Sequence, residues 1–137
     1  MDDRALLELS LERVAERIGD PVPRVYDALF AAEPPLREMF VGDPLGSVRG
    51  EMFHRVVDTL LDVAAHQPYA DGMIAAEWSN HHMNGVSTAQ FQRFFDIVVQ
   101  VFREALGVDW TPPIDAAWRR TLQRVADITT QAASTTP

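Results

Sequence analysis

Apolar side chains recur at intervals of three and four residues along nearly the whole chain, the period of helices that bury one face. Leu6, Leu7, Leu9 or Leu11, Val14 and Ile18 mark a first helix over about 4–18, with Asp2 or Asp3 to cap it and Gly19-Asp20-Pro21 to stop it. Val22, Val25, Tyr26, Leu29 and Phe30 predict a second helix over about 21–32, and Pro21 and Pro23 are tolerated in its first turn. Pro34-Pro35 breaks that helix and opens a short one over 36–40, before a Gly- and Pro-containing loop at 41–46. A long helix is predicted from Ser47 to about His66, its apolar residues running from Val48, Met52, Phe53 and Val56 to Leu60 and Ala64. A short helix over about 73–82 ends at the turn Asn84-Gly85-Val86-Ser87. The most apolar helix follows over about 88–106, with Phe91, Phe94, Phe95, Val98 and Phe102 facing inward. Thr111-Pro112-Pro113 then announces a last helix over about 114–130, and the polar residues 132–137 are expected to fray.

No segment alternates as a strand does. The pattern therefore predicts an all-α fold of about seven helices, unequal in length and joined by sharp corners. Crossed packing around a pocket suits that layout better than an even four-helix bundle. The 137 residues fit a single domain over 1–137 with a real core and no attached reductase or other catalytic module.

Composition narrows the function. There are 20 acidic and 12 basic side chains, all of the latter arginine, for a net charge of -8. That balance argues against binding nucleic acid or an anionic membrane. With 47% hydrophobic and 23% charged residues the chain reads as an ordinary globular protein. There is no cysteine, which excludes disulfides, thiolate metal sites and a cysteine nucleophile. The acidic start Met1-Asp2-Asp3-Arg4 is unlike a signal peptide, and no run of about 18 apolar residues suggests a membrane span, so a cytoplasmic protein is expected.

The candidate chemistry is sparse. No Gly-rich phosphate loop, nucleophile elbow or Ser-His-Asp arrangement is visible, and Glu33 and Glu38 form no obvious carboxylate dyad. The four histidines, His54, His66, His81 and His82, lack the His-x-x-x-His pairing of a zinc site. His54 lies between Glu51 and Asp58 at helical spacing, as in a solvated ion pair, and His66 stands at a helix end where a cation meets the dipole. His81 and His82 close a short helix opposite the most apolar one. Spacing alone reads them as one buried and one exposed histidine, or as a cofactor ligand and its neighbour.

Four blocks, in order and at matching intervals, resemble the globin family, above all the single-domain bacterial globins and the haem domain of flavohaemoglobins. Val25-Tyr26-Asp27-Ala28-Leu29-Phe30 and Pro34-Pro35-Leu36-Arg37-Glu38-Met39-Phe40 look like the family's second and third helices. His81-His82-Met83-Asn84-Gly85-Val86 looks like its proximal histidine followed by Gly-Val. Leu106-Gly107 through Thr111-Pro112 to Trp118 looks like the link into the last helix. The resemblance runs from about Leu6 to Ile128 and implies haem b (iron protoporphyrin IX) held by one axial histidine.

His81 matches the family interval to Gly85-Val86. His82 would shorten that corner by one residue, but would put Trp78 rather than Glu77 one turn earlier, against the haem. The resemblance also implies that Phe40 stacks on the porphyrin, that Val86 and Phe91 lie on the proximal side, and that Tyr26 is a distal hydrogen-bond donor. Family spacing back from His81 points to Arg49 at the pocket mouth, near the propionates, and Phe53 above the haem. A shift in register gives Val48 and Met52, or Met52 and Val56. The family's common distal histidine or glutamine is then missing.

Flavohaemoglobins back the proximal histidine with a tyrosine and a glutamate. The matching positions here are Phe91 and the acid-free region 130–134, which weakens the expectation of peroxidase-like chemistry. The implied function is binding of a diatomic gas, dioxygen or nitric oxide, for storage, scavenging or sensing. Nitric oxide dioxygenation would need an external reductase as partner. The competing reading is a haem-free globin-fold module that signals through protein contacts. The apolar helix over 88–106 suits a monomer with a buried pocket and a homodimer equally.

Overall fold

The computed structural model describes residues 1–136; Pro137, the end of the expected tail, lies outside the described residues. The described residues form six α-helices and two short 3-10 helices, with no strand. They are α1 (Asp3–Ile18), α2 (Val22–Ala32), a 3-10 helix (Pro34–Phe40), α3 (Ser47–Ala64), α4 (Ala70–Met83), α5 (Thr88–Leu106), a 3-10 turn (Gly107–Asp109) and α6 (Pro112–Thr135). No helix among the described residues is long and apolar enough to cross a membrane.

The helix ends follow local chemistry. Asp2 caps α1 by accepting from the Ala5 N–H at 2.8 Å. Ser87 and Gln90 form a reciprocal capping box at the start of α5, which fixes where the turn after α4 gives way to helix. Thr111 precedes α6 without a side-chain cap bond, and the prolines at its first positions set the backbone instead. Three boundaries differ from the sequence reading. α3 ends at Ala64, and His66 lies beyond it with φ +57°. α4 begins at Ala70, three residues early, because Ala70 is fully buried and Arg124 of α6 grips Asp71 with two hydrogen bonds. α6 runs through Ala132 to Thr135, where fraying was expected; the hydroxyls of Ser134 and Thr135 bond back to carbonyls one turn earlier.

α6 packs against α1, α3, α4 and α5, and α2 packs against α5 and the first 3-10 helix. The core centres on Trp118 of α6 and Phe102 of α5, whose rings meet edge to face at 5.7 Å. Burying an indole requires a partner for its N–H. Ser10 of α1 supplies it at 2.9 Å, and its own hydroxyl donates a hydrogen bond to the Leu7 carbonyl at 2.7 Å. This core fills the space between α1, α5 and α6 and leaves the space between α2, α3, α4 and the start of α5 unfilled.

Ser10→Ala removes the only acceptor of the buried Trp118 N–H and should cost about 1–3 kcal/mol of unfolding free energy. Urea denaturation measures this, and a loss below about 0.5 kcal/mol would show that the bond is dispensable.

Candidate functional site

The unfilled space is a cavity of about 340 Å³, within the range of sites that enclose a cofactor-sized molecule. Each wall comes from a different element. α2 and the following 3-10 helix give Tyr26, Leu29, Leu36, Met39 and Phe40. α3 gives Val48, Met52, Arg55, Val56 and Thr59. α4 and its turn give Ile74, Glu77, Asn80, His81, Asn84 and Val86, and α5 gives Phe91, Phe94 and Phe95.

His81 is held from two directions. Its Nδ1 lies 2.7 Å from the backbone carbonyl of Glu77, one turn earlier on α4. A carbonyl only accepts, so Nδ1 carries the proton and Nε2 presents its lone pair. The backbone of His81 is fixed as well, because its carbonyl accepts from the Val86 N–H at 3.0 Å. That return requires the chain to reverse at Gly85, whose φ of +93° favours glycine. The Gly-Val pair at this interval thus has a mechanical meaning: it ends α4 with His81 on the cavity wall. His82 is exposed, does not line the cavity, and stacks on Trp78 with ring centres 4.9 Å apart.

Tyr26 stands across from this wall. Its ring is wedged among Phe30, Phe40 and Phe94, at centroid distances of 6.0, 5.5 and 5.7 Å. Every fully enclosed side-chain nitrogen and oxygen among the described residues has a hydrogen-bond partner. No protein group bonds the Tyr26 hydroxyl, so it meets the open space of the cavity. Burial pushes it up to about 12, with the nearby Arg49 guanidinium pulling it down and Asp43 pushing it up. It is therefore a proton donor and not a phenolate at any ordinary pH.

The structure brings Tyr26, Phe40, Met52, Val56, His81, Val86 and Phe91 together around the cavity. It does not bring Arg49, Phe53 or Trp78 there. Arg49 is bound by Asp43, which accepts from its Nε at 3.1 Å while the Asp43 carbonyl accepts from Nη2 at 2.8 Å. Although burial raises Asp43, the N–H groups of Val48 and Arg49 and the Arg49 guanidinium together hold its carboxyl below the usual aspartate value. Phe53 turns into the core against Phe102. Trp78 is buried and donates to the Thr88 hydroxyl at 3.1 Å, joining α4 to α5. The two other histidines also differ from expectation. His54 is exposed without an ion pair among the described residues. His66 lies beyond the end of α3, and its Nδ1 accepts from Arg124 at 2.8 Å.

Arg55 was not legible as a cavity residue, and the contact between the Glu77 carboxylate and His81 was not anticipated. Arg55 sits on what reads as the solvent face of α3, yet it lines the mouth and lies 3.9 Å from the Glu77 carboxylate. A Glu77 carboxylate oxygen lies 3.9 Å from the His81 Nδ1. Helical spacing of four residues connects Glu77 with His81 and could have signalled the second contact.

A single available imidazole, a wall of aromatic rings and an unbonded hydroxyl open to the cavity suit one kind of occupant. Among the described residues no three His, Asp or Glu side chains converge to hold a metal ion. One histidine suffices when the other ligands belong to a flat macrocycle, as in haem. The residues present fit that group. The family model described as Globin matches residues 23–129, which hold every element of the cavity. No curated protein matches the chain.

The state of the Tyr26 hydroxyl has a consequence for stability. In the unfolded chain a tyrosine ionises near pH 10. Between about pH 10 and 12 the unfolded state thus holds fewer protons than the folded one, and stability falls as pH rises. Tyr26 should contribute a loss of about 2 to 3 kcal/mol by pH 12, absent below pH 10. Denaturation of the cofactor-free protein across this range should show a shallower decline for Tyr26→Phe than for the unaltered chain; parallel curves would mean that Tyr26 is not shielded from water.

Proposed function

This chain belongs to the globin family, and from that premise we propose that its cavity holds one haem b through the Nε2 of His81 and binds dioxygen or nitric oxide. The observation that carries the assignment is the hydrogen bond from His81 Nδ1 to the Glu77 carbonyl, which leaves Nε2 unprotonated on the cavity wall. When bound, the haem supplies an iron centre with one coordination position for a diatomic gas.

The chain's own residues do the rest. Phe40 and Phe91 offer ring surfaces to an apolar macrocycle, and Met52, Val56 and Val86 complete the dry wall. Such burial favours haem over water at roughly 25 cal/mol for each Å² of apolar surface removed. Arg49 is already held by Asp43, and Arg55 is the arginine that lines the cavity. Tyr26 donates its hydroxyl proton in a hydrogen bond to a polar ligand in the distal space, and the ring contacts with Phe40 and Phe94 aim it without needing a second polar group. A distal tyrosine that donates strongly suits retention of dioxygen.

Storage, scavenging and sensing all use that property. Nitric oxide dioxygenation would use it too, with electrons from a separate reductase. Phe91 offers no hydrogen bond to His81, and its ring lies 5.4 Å from the imidazole.

Absorption spectra of the haem-reconstituted protein test the assignment. The unaltered chain and His82→Ala should give a strong Soret band, and His81→Ala should lose it or shift it to that of weakly held haem. The reverse order would move the ligand to His82. No band in any of the three would leave the haem-free signalling module as the better reading.

A further inference from the structure

Glu77 and His81 are neighbours on the cavity side of α4, and Arg55 faces them from α3. Two contacts meet at the Glu77 carboxylate. One oxygen lies 3.9 Å from the His81 Nδ1, and the other lies 3.9 Å from the Arg55 guanidinium. The side chains of Glu77 and His81 are 34% and 27% exposed, so about two-thirds of each is withdrawn from water. A charge placed there is screened less than one on an open helix face, while Arg55 is itself 69% exposed and acts more weakly. An outward-facing pair four residues apart would be an ordinary solvated contact; this one lines the same cavity as the Tyr26 ring.

We infer that Glu77 is a positioning residue that sets how strongly His81 donates to haem iron, with Arg55 as the cation that limits its effect. The inference rests on the haem reading above. The Glu77 backbone carbonyl accepts the hydrogen bond from Nδ1–H and orients the ring; the Glu77 carboxylate adds a negative charge beside the same N–H. Together they polarise that bond and enrich Nε2 in electron density. Ferric iron carries one more positive charge than ferrous iron, so a richer imidazole and a nearby anion both favour the ferric state. Arg55 draws on the same carboxylate from the neighbouring α3 and offsets part of this charge.

The main-chain hydrogen bond survives any side-chain change at position 77, which makes Glu77→Gln a clean removal of charge. Two readouts on the haem-reconstituted protein test it: the Fe–His stretching frequency of the ferrous form and the midpoint potential. In Glu77→Gln the stretching frequency should fall, and the preference for ferric over ferrous should drop about threefold to tenfold, a rise of about 30 to 60 mV for one electron. Arg55→Gln should move both in the opposite direction, since the full Glu77 charge then acts on His81. An unaltered frequency and potential in Glu77→Gln, with the Soret band intact, overturns the inference and leaves the haem reading standing. Loss of any His81-dependent band in the unaltered chain overturns both. If Glu77→Gln does not take up haem, the Fe–His frequency of Arg55→Gln decides alone, and a value equal to that of the unaltered protein overturns the proposal.

Discussion

The hydrogen bond between His81 Nδ1 and the Glu77 carbonyl is the constraint on which the cavity's chemistry depends. Without it the imidazole could rotate or change tautomer, and Nε2 would present a proton to the cavity in place of a lone pair. The bond exists because α4 continues one turn before His81 and stops just after it. Gly85 ends the helix by reversing the chain, and the Val86 N–H returns to the His81 carbonyl. Three residues that make no direct contact with a cofactor's centre thus decide which nitrogen is available. The capping box at Ser87 and Gln90 then starts α5 at once, which brings Phe91 against the imidazole.

The fold divides its burial between two tasks. Trp118, Phe102 and the α1 residues make a filled core in which Ser10 meets the need of the indole N–H for a partner. The other half keeps a space of about 340 Å³ that no side chain fills. Open apolar volume is a cost in the cofactor-free protein, because its lining atoms lack contacts on one side. A ligand that fills the space binds only the folded state and stabilises it by mass action. The aromatic wedge around Tyr26 keeps this half from collapsing, since Phe30, Phe40 and Phe94 brace one another through the tyrosine ring.

The helical layout was legible because it rests on periodicity. α5 falls on its predicted limits, 88–106, since its apolar stripe is long and unbroken. The start of α4 was not legible: Ala70, Asp71 and Gly72 carry little local helix signal, and a contact from Arg124 holds them. The pocket face of α3 stayed open between registers, of which the one with Met52 and Val56 faces the cavity, for a geometric reason. Successive helical residues lie about 100° apart, so Phe53 on the core side and Met52 on the cavity side belong to different faces of one apolar helix. Periodicity reports both faces and does not say which one meets the cavity. Arg55 was hidden in the same way, since a charged residue on a long helix reads as solvated until a partner on another helix appears. Tyr26 and His81 were legible only through the spacing of the blocks around them, because a tyrosine or histidine on an amphipathic helix has an ordinary structural reading as well.

The central claim is that one haem occupies this cavity with His81 on one side and Tyr26 on the other. A crystal structure of the haem-reconstituted, gas-exposed protein tests it most directly. The account predicts iron bonded to His81 Nε2, with Nδ1 still on the Glu77 carbonyl and the Tyr26 hydroxyl within hydrogen-bond reach of the ligand on the opposite face. Haem seated outside the cavity, or iron bonded to His82, would contradict it.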